Sequence, residues 1–475
     1  MRRTFVTLLV ALCTACFGMP TFAATGEVLK TFAAPEGAPL LHNFEVMVRK
    51  PGGEWLAVPT YKWMADQTNN GLHRTTEVSV ASFEFQGKVD VKVKYLGGKT
   101  NSCRVRPLSR NIKPQAQDGS YVFTLDSPQN LSFEVNGDLY HNLQLFANPV
   151  MPKVKKGKKV IWFKPGYYEL KDSLKVGSNQ TVYIDGGAYI KGFISVNNAR
   201  NVRIIGTGIV NPWRRQAGVM INNCKHVEVN GVLTTQLPVG GSDSVSVSNA
   251  KVMSWYGWGD GMNVFASNHV SYNHVFCRTS DDCSTIYCTR KGFKGGCKDI
   301  NVSDAVYWAD VAHPIFVGLH GDIDRNEVID SVNYTNIDIL EQVEAQLDYQ
   351  GCIAINAGDN NTIRNVNFNN IRIESLRNGM LFNFRVCYNK KYCHAPGRGI
   401  HNINLNNISY IGATPNLSIM TGYSADRNIS DVHFHNLVIN GRHIYDEMPG
   451  KPKWYKTSDF ARIFVGEFVD NVSFK

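Results

Sequence analysis

Residues 365–370 read NVNFNN, and residues 402–407 read NINLNN. Each phrase sets a polar residue before two apolar positions that alternate with polar ones, then closes on Asn. Alternation with period two is the pattern of a half-buried strand, and Asn tolerates the left-handed backbone of a tight turn. The phrase recurs as NVRIIG at 201, HVEVNG at 226, SVSVSN at 244, HVSYNH at 269, DINVSD at 299, SVNYTN at 331, DVHFHN at 431 and NVSFK at 471. Its intervals run from 18 to 40 residues. A repeat that keeps its strand while its length varies is a solenoid whose loops absorb the insertions. Short strands, Asn-rich turns and almost no helical periodicity predict a parallel β-helix, with TVYIDGGAYIKGFI (181–194) as an early coil. Successive coils then stack about 4.8 Å apart, as neighbouring strands do.

Upstream the rule differs. From residue 24 to about 150, short alternating runs such as EVSVASFEFQ, VDVKVKYL, YVFTLD and LSFEVNG are separated by Gly, Asn and Asp, which predicts an antiparallel β-sandwich. The chain is all-β by this reading, with a sandwich over 24–155 and the β-helix over 156–475. Residues 1–23 read as an export signal: Arg2 and Arg3, an apolar run, then a small-residue site with cleavage expected after Ala23. The run is too short for a membrane span, so the protein is expected to be exported to a periplasmic or extracellular space.

Charge and cysteine content narrow the partners. The full chain carries a net charge of +10, and loss of the two signal arginines leaves +8. The basic run KVKKGKK (153–159) reads as a solvated loop and not as a nucleic-acid patch. Nine cysteines follow the signal. An exported compartment permits disulfides, and the pairs Cys288/Cys297 and Cys387/Cys393 read as loop staples. No CxxC pair with matching histidines points to zinc.

Stacking puts equivalent positions of successive repeats side by side. A second phrase follows each first one, and three of these read WGDGMNVFA, TSDDCSTIYC and VAHPIFVG. Aligned on their strands, Asp260, Asp282 and His313 fall in one column, with Asp281 one residue before. Carboxylates so close cannot all ionise freely, so one is driven up and another kept low. That split supplies a general acid and a general base at one pH, as glycosidic hydrolysis requires. Taken singly, each Asp reads as a turn former, the Asp pair as a partial calcium site, and His313 as a loop residue. It is their shared column that points to catalysis.

These motifs resemble the glycoside hydrolases of the polygalacturonase and dextranase clan, strongest over 252–320. The clan's pattern is an Asp-Gly, an Asp-Asp about one coil later, and a His opening the next strand. Here those are Asp260-Gly261, Asp281-Asp282 and His313. The resemblance implies a right-handed parallel β-helix and inverting hydrolysis; with no cofactor motif in the sequence, a hydrolase that needs no cofactor or metal is the simplest reading. Asp281 would be the general acid, Asp260 with Asp282 would activate water, and His313 would tune the acid. Two departures matter. His313 is followed by Pro314, where polygalacturonases have Gly. The run GCIAINAGD (351–359) also lacks the Arg-x-Lys that holds a substrate carboxylate in polygalacturonases. The N-terminal stretches VRPLSRNI and SFEVNGDLYHNLQLFANP are similar to the extra domain of dextranases and isopullulanases. The implied substrate is therefore a neutral α-glucan, dextran first.

For sugar contacts the sequence offers Trp258 as a stacking platform, with Tyr287 and Trp308 beside the column. Arg278, His320 and Asp348 are polar candidates, and Asp310, Glu344 and Gln350 stand near them. The rival functions are a clan hydrolase acting on an acidic polysaccharide through cations elsewhere, a lyase, and a non-catalytic carbohydrate-binding β-helix.

Overall fold

A computed structural model describes residues 26–69 and 72–475; the expected export signal lies outside the described residues. From residue 160 the chain winds into stacked coils. The first coil contributes strands Val160–Phe163, Gly166–Glu169 and Leu174–Val176; the next contributes Thr181–Ile184, Ala188–Lys191 and Ile194–Asn197. Corresponding strands pair in parallel from coil to coil. The result is a parallel β-helix with one sheet of 20 strands and another of 11. From Val328–Gln342 onward the first two strands of each coil merge into one long strand, as in Thr362–Ile373 and Gly399–Tyr410. Inward apolar residues of every coil form one continuous core, from Val182 and Ile184 through Val270 and Ile300 to Phe434 and Phe474.

The recurring phrase has a conformational basis. Its first residue is left-handed in every copy: Asn201 (φ 56°), His226 (57°), Ser244 (59°), His269 (52°), Asp299 (56°), Ser331 (59°), Asn365 (56°), Asn402 (57°), Asp431 (60°) and Asn471 (54°). Asn, Asp and His are the non-glycine residues that adopt this region most readily, because a short polar side chain can bond locally. The Asn closing the later phrases is left-handed too, at Asn336, Asn370, Asn407 and Asn436. Stacked asparagines then bond from coil to coil: Asn407 donates to Asn370 at 3.0 Å, and Asn436 to Asn407 at 2.8 Å. The repeat is thus a strand bounded by turns, with a side-chain ladder that satisfies the turn amides.

Residues 28–149 form two further sheets. The six-stranded one includes Leu72–Gln86, Gln129–Val135 and Leu143–Pro149; the five-stranded one includes Phe44–Arg49, Val89–Tyr95 and Ser120–Leu125. Phe44, Val91 and Phe123 of one meet Phe83, Phe133 and Leu145 of the other in a shared core. Pairing is antiparallel except for one correction to the expected pattern: Leu143–Pro149 runs parallel to Ser79–Phe85.

The six-stranded sheet docks on the β-helix through large apolar side chains, among them Trp63, Phe146, Trp255, Phe276, Trp308 and Leu340. Buried polar bonds fix the orientation. Trp63 Nε1 donates to the Met253 carbonyl at 2.9 Å, and Arg106 Nη1 donates to the Leu340 carbonyl at 2.8 Å. Arg106 also pairs with Glu134 at 2.6 Å and with Glu341 at 3.0 Å. Among the described residues no helix is long and apolar enough to cross a membrane. All nine described cysteines are free thiols, including the two pairs expected to staple loops.

Candidate active site

Met262–Phe265, Ser284–Tyr287 and Ile315–Gly318 are equivalent strands of successive coils, paired in parallel. Their register continues one step upstream, where Gly261 N donates to Asp282 O at 2.8 Å and Cys283 N donates to His313 O at 2.8 Å. Asp260, Asp282 and His313 therefore share the column expected from the sequence. Gly261 is required by close approach, since a Cβ there would lie 2.2 Å from Cys277 Sγ and 2.4 Å from the Cys283 carbonyl. The approach to Asp260 is strained: Tyr256 and Trp258 are both left-handed, at φ 67° and 62°. Such conformations in bulky residues cost stability and gather at functional sites.

Each carboxylate has its own environment. Asp282 is buried and receives three contacts. His313 Nδ1 lies 2.7 Å from its Oδ1, the His313 amide donates to the same oxygen at 3.2 Å, and the Tyr287 hydroxyl donates to Oδ2 at 3.1 Å. A carboxylate beside Nδ1 places the imidazole proton there, leaving buried Nε2 without a partner among the described residues. The ring is held by Phe316, stacked at 4.4 Å, and by the edge of Tyr349, also at 4.4 Å. Burial and the neighbouring aspartates push the Tyr287 hydroxyl well up, so it remains a donor.

Asp260 and Asp281 are pushed up as well. Burial, then the charge of Asp282, raises Asp260 to about 7, although Asn263 Nδ2 donates to it at 2.6 Å and Lys291 and Arg290 oppose the rise. Burial, then Asp260 and Asp282, raises Asp281 well above the carboxylate range; Glu344 adds to this, and a 2.9 Å bond from the Asp282 amide subtracts from it. The site thus holds two carboxyls disposed to keep protons beside one held by donors. That is the division of labour a general acid and base require.

The structure sorts the sugar-contact candidates. Trp258 is 75% exposed beside Asp260, with Arg215 stacked on its ring at 5.1 Å. Tyr287 is at the site, but its hydroxyl is spent on Asp282. His320 lies behind Tyr287, edge-on at 4.9 Å, and Arg290 approaches it at 3.3 Å. Asp348 is exposed in the short turn Leu347–Tyr349 over the column.

Two expectations are corrected. Trp308 and Arg278 are fully buried under the N-terminal sheet, out of a sugar's reach. Arg278 pairs with Asp310 at 2.8 Å, bonds Asn142 at 3.0 Å and stacks on Trp308 at 4.1 Å. Sequence reasoning missed Tyr349 and Asn263. Asn263 was findable, since it alternates outward on the strand after Asp260. Tyr349 carries no register signal, because it sits in an insertion between strands.

No protein-family model and no curated protein matches the sequence. Comparison with solved structures finds Dex49A from Penicillium minioluteum, with a TM-score of 0.59 and 15% identity, covering 94% of this chain and 96% of that one. It also finds the family 28 exopolygalacturonase of Yersinia enterocolitica, at 0.45 and 12% identity, covering 82% and 96%. The Streptococcus pneumoniae surface protein and adhesin PfbA follows at 0.40 and 11%, covering 66% and 81%. In fold, this chain is similar to Dex49A over nearly the whole length of both chains.

Proposed function

We propose that this protein is an exported polysaccharide hydrolase that cleaves an α-glycosidic bond with inversion. The observation that carries the proposal is the register of Asp260, Asp282 and His313 on three successive coils, with Asp281 beside them. Protonated Asp281 gives its proton to the leaving glycosidic oxygen. Asp282, anchored by His313 and Tyr287, takes a proton from the attacking water, and Asp260, next to it in the column, holds that water in place. Trp258 stacks on a sugar face at the mouth of the site. The N-terminal sheets act as one β-sandwich domain over 24–155 that braces the catalytic β-helix over 156–475.

The sugar at the cleavage point is neutral in this account. Its support is the strand Ile353–Ala357, one coil beyond His313, which turns Ala354 and Asn356 outward and offers no cation for a carboxylate. Dextran and pullulan are therefore the first substrates to test, with polygalacturonate as the acidic alternative. Reducing-end release from dextran or pullulan, lost in Asp281→Asn, is the expected result. Equal release by the variant would remove Asp281 from catalysis, and no release from any glycan would favour a binding β-helix.

A further inference from the structure

The register brings a further carboxyl, that of Glu344, to the site. Cys283 N donates to His313 O, Ala312 N to Val343 O and Glu344 N to Asn378 O, each at 2.8 Å. Counting along these parallel bonds, Asp281 stands opposite Ala312, Ala312 opposite Glu344, and Glu344 opposite Gly379. Asp281 and Glu344 thus share one column two coils apart, about 10 Å at the usual strand spacing. Between them Ala312 presents only a methyl group. The two carboxyls bound a gap that a single sugar ring fills, and the negative charge of Glu344 reaches across it to hold the Asp281 proton.

Glu344 is set firmly in place. Gln350 Nε2 donates to its carbonyl at 2.8 Å and to Asn378 Oδ1 at 3.1 Å. The Gln346 amide donates to Glu344 Oε1 at 2.6 Å, and Gln346 Nε2 donates to the same oxygen at 3.3 Å. Lys391 feels the charge of Glu344 but bonds Gln346 Oε1 instead, at 2.5 Å. Glu344 Oε2 is left without a hydrogen-bond partner among the described residues, although the residue is only 4% exposed. A carboxylate oxygen so buried is costly to leave unbonded. A sugar hydroxyl in the gap supplies the missing donor. A carboxylate on that same sugar would meet a like charge, which is how a site rejects a wrong ligand.

We infer that Glu344 is a specificity residue: its carboxylate accepts hydroxyls of the sugar unit lying over Ala312, next to the glycosidic oxygen that Asp281 protonates, and its charge excludes a uronate from that position. The inference rests on the hydrolase reading for the place of that sugar, but its test reads binding alone. Full-length Asp281→Asn protein is run by affinity electrophoresis through gels holding dextran, pullulan or polygalacturonate, alone and with a second substitution. Alone, it should be retained more by dextran or pullulan than by polygalacturonate. Adding Glu344→Gln should weaken that retention about tenfold, as loss of a charge-assisted bond predicts. Gln keeps an oxygen for the Gln346 amide, so the turn is preserved, and a purely structural Glu344 would leave retention unmoved. Adding Glu344→Arg should shift preference toward polygalacturonate. Adding Glu228→Gln, which neutralises an exposed carboxylate paired with Arg203, should change nothing. Retention unmoved by Glu344→Gln, no gain for polygalacturonate from Glu344→Arg, or no retention of the Asp281→Asn protein by either neutral glucan would each overturn the inference. Reducing-end release by the wild type reports separately on the hydrolase reading: a glucan retained through Glu344 but left uncut would remove that reading and keep the binding role.

Discussion

Replacing Asp260 by Asn should stabilise the protein while disabling it, and the gain should depend on pH. The structure raises this carboxyl from an ordinary 3.8 to about 7, chiefly through burial and the charge of Asp282. The folded state therefore resists losing a proton that the unfolded chain gives up freely. Below pH 3.8 both states keep it, and Asn confers nothing. As pH rises toward 7 the wild type forfeits about 1.4 kcal/mol per unit, reaching about 4 kcal/mol at pH 8. Part of that shift depends on the charge of Asp282, and partial exposure of Asp260 screens part of it, so an observable gain of about 2–3 kcal/mol is expected. Asn keeps an oxygen to accept the bond from Asn263, so no buried donor is stranded. Urea unfolding of both proteins at several pH values between 4 and 8 measures the difference. A gain that grows with pH supports the electrostatic account. A gain that is constant with pH, or a loss of stability at pH 8, refutes it.

Other substitutions probe the neighbours. Tyr287→Phe removes one donor from Asp282 and should lower kcat about tenfold, the worth of a bond to a charged group, with KM little changed in steady-state assays. Trp258→Ala should raise KM for oligosaccharides and leave urea unfolding unmoved, because the ring is exposed. Arg106→Ala removes the buried partner shared by Glu134 and Glu341, which keep Arg104 and Arg377, and should cost about 2–3 kcal/mol in urea unfolding, with the N-terminal sheets released first in limited proteolysis.

The sequence displayed the coil rule openly, because each phrase begins at a left-handed turn that only a few residue types fill well. Once Asn201, His226 and Asn365 are seen as turn residues, the strands after them align, and Asp260, Asp282 and His313 follow by counting. Features set by packing between distant segments were not visible. Trp308 and Arg278 sit in phrases that look like their neighbours', yet the N-terminal sheet covers them through Asn142 and Leu139. The parallel placement of Leu143–Pro149 beside Ser79–Phe85 likewise depends on a long connection that no local pattern encodes.

The central claim is that a protonated Asp281 and a water served by Asp282 break an α-glycosidic bond in one inverting step. Proton NMR of the first sugar released from a cleaved α-linked oligosaccharide tests it most directly, with Asp281→Asn as the paired control. The account predicts that the β-anomer appears first and that the variant is slower by about a thousandfold, within the range of general acid catalysis. An α-anomer appearing first, an unsaturated product, or a variant as fast as the wild type would contradict it.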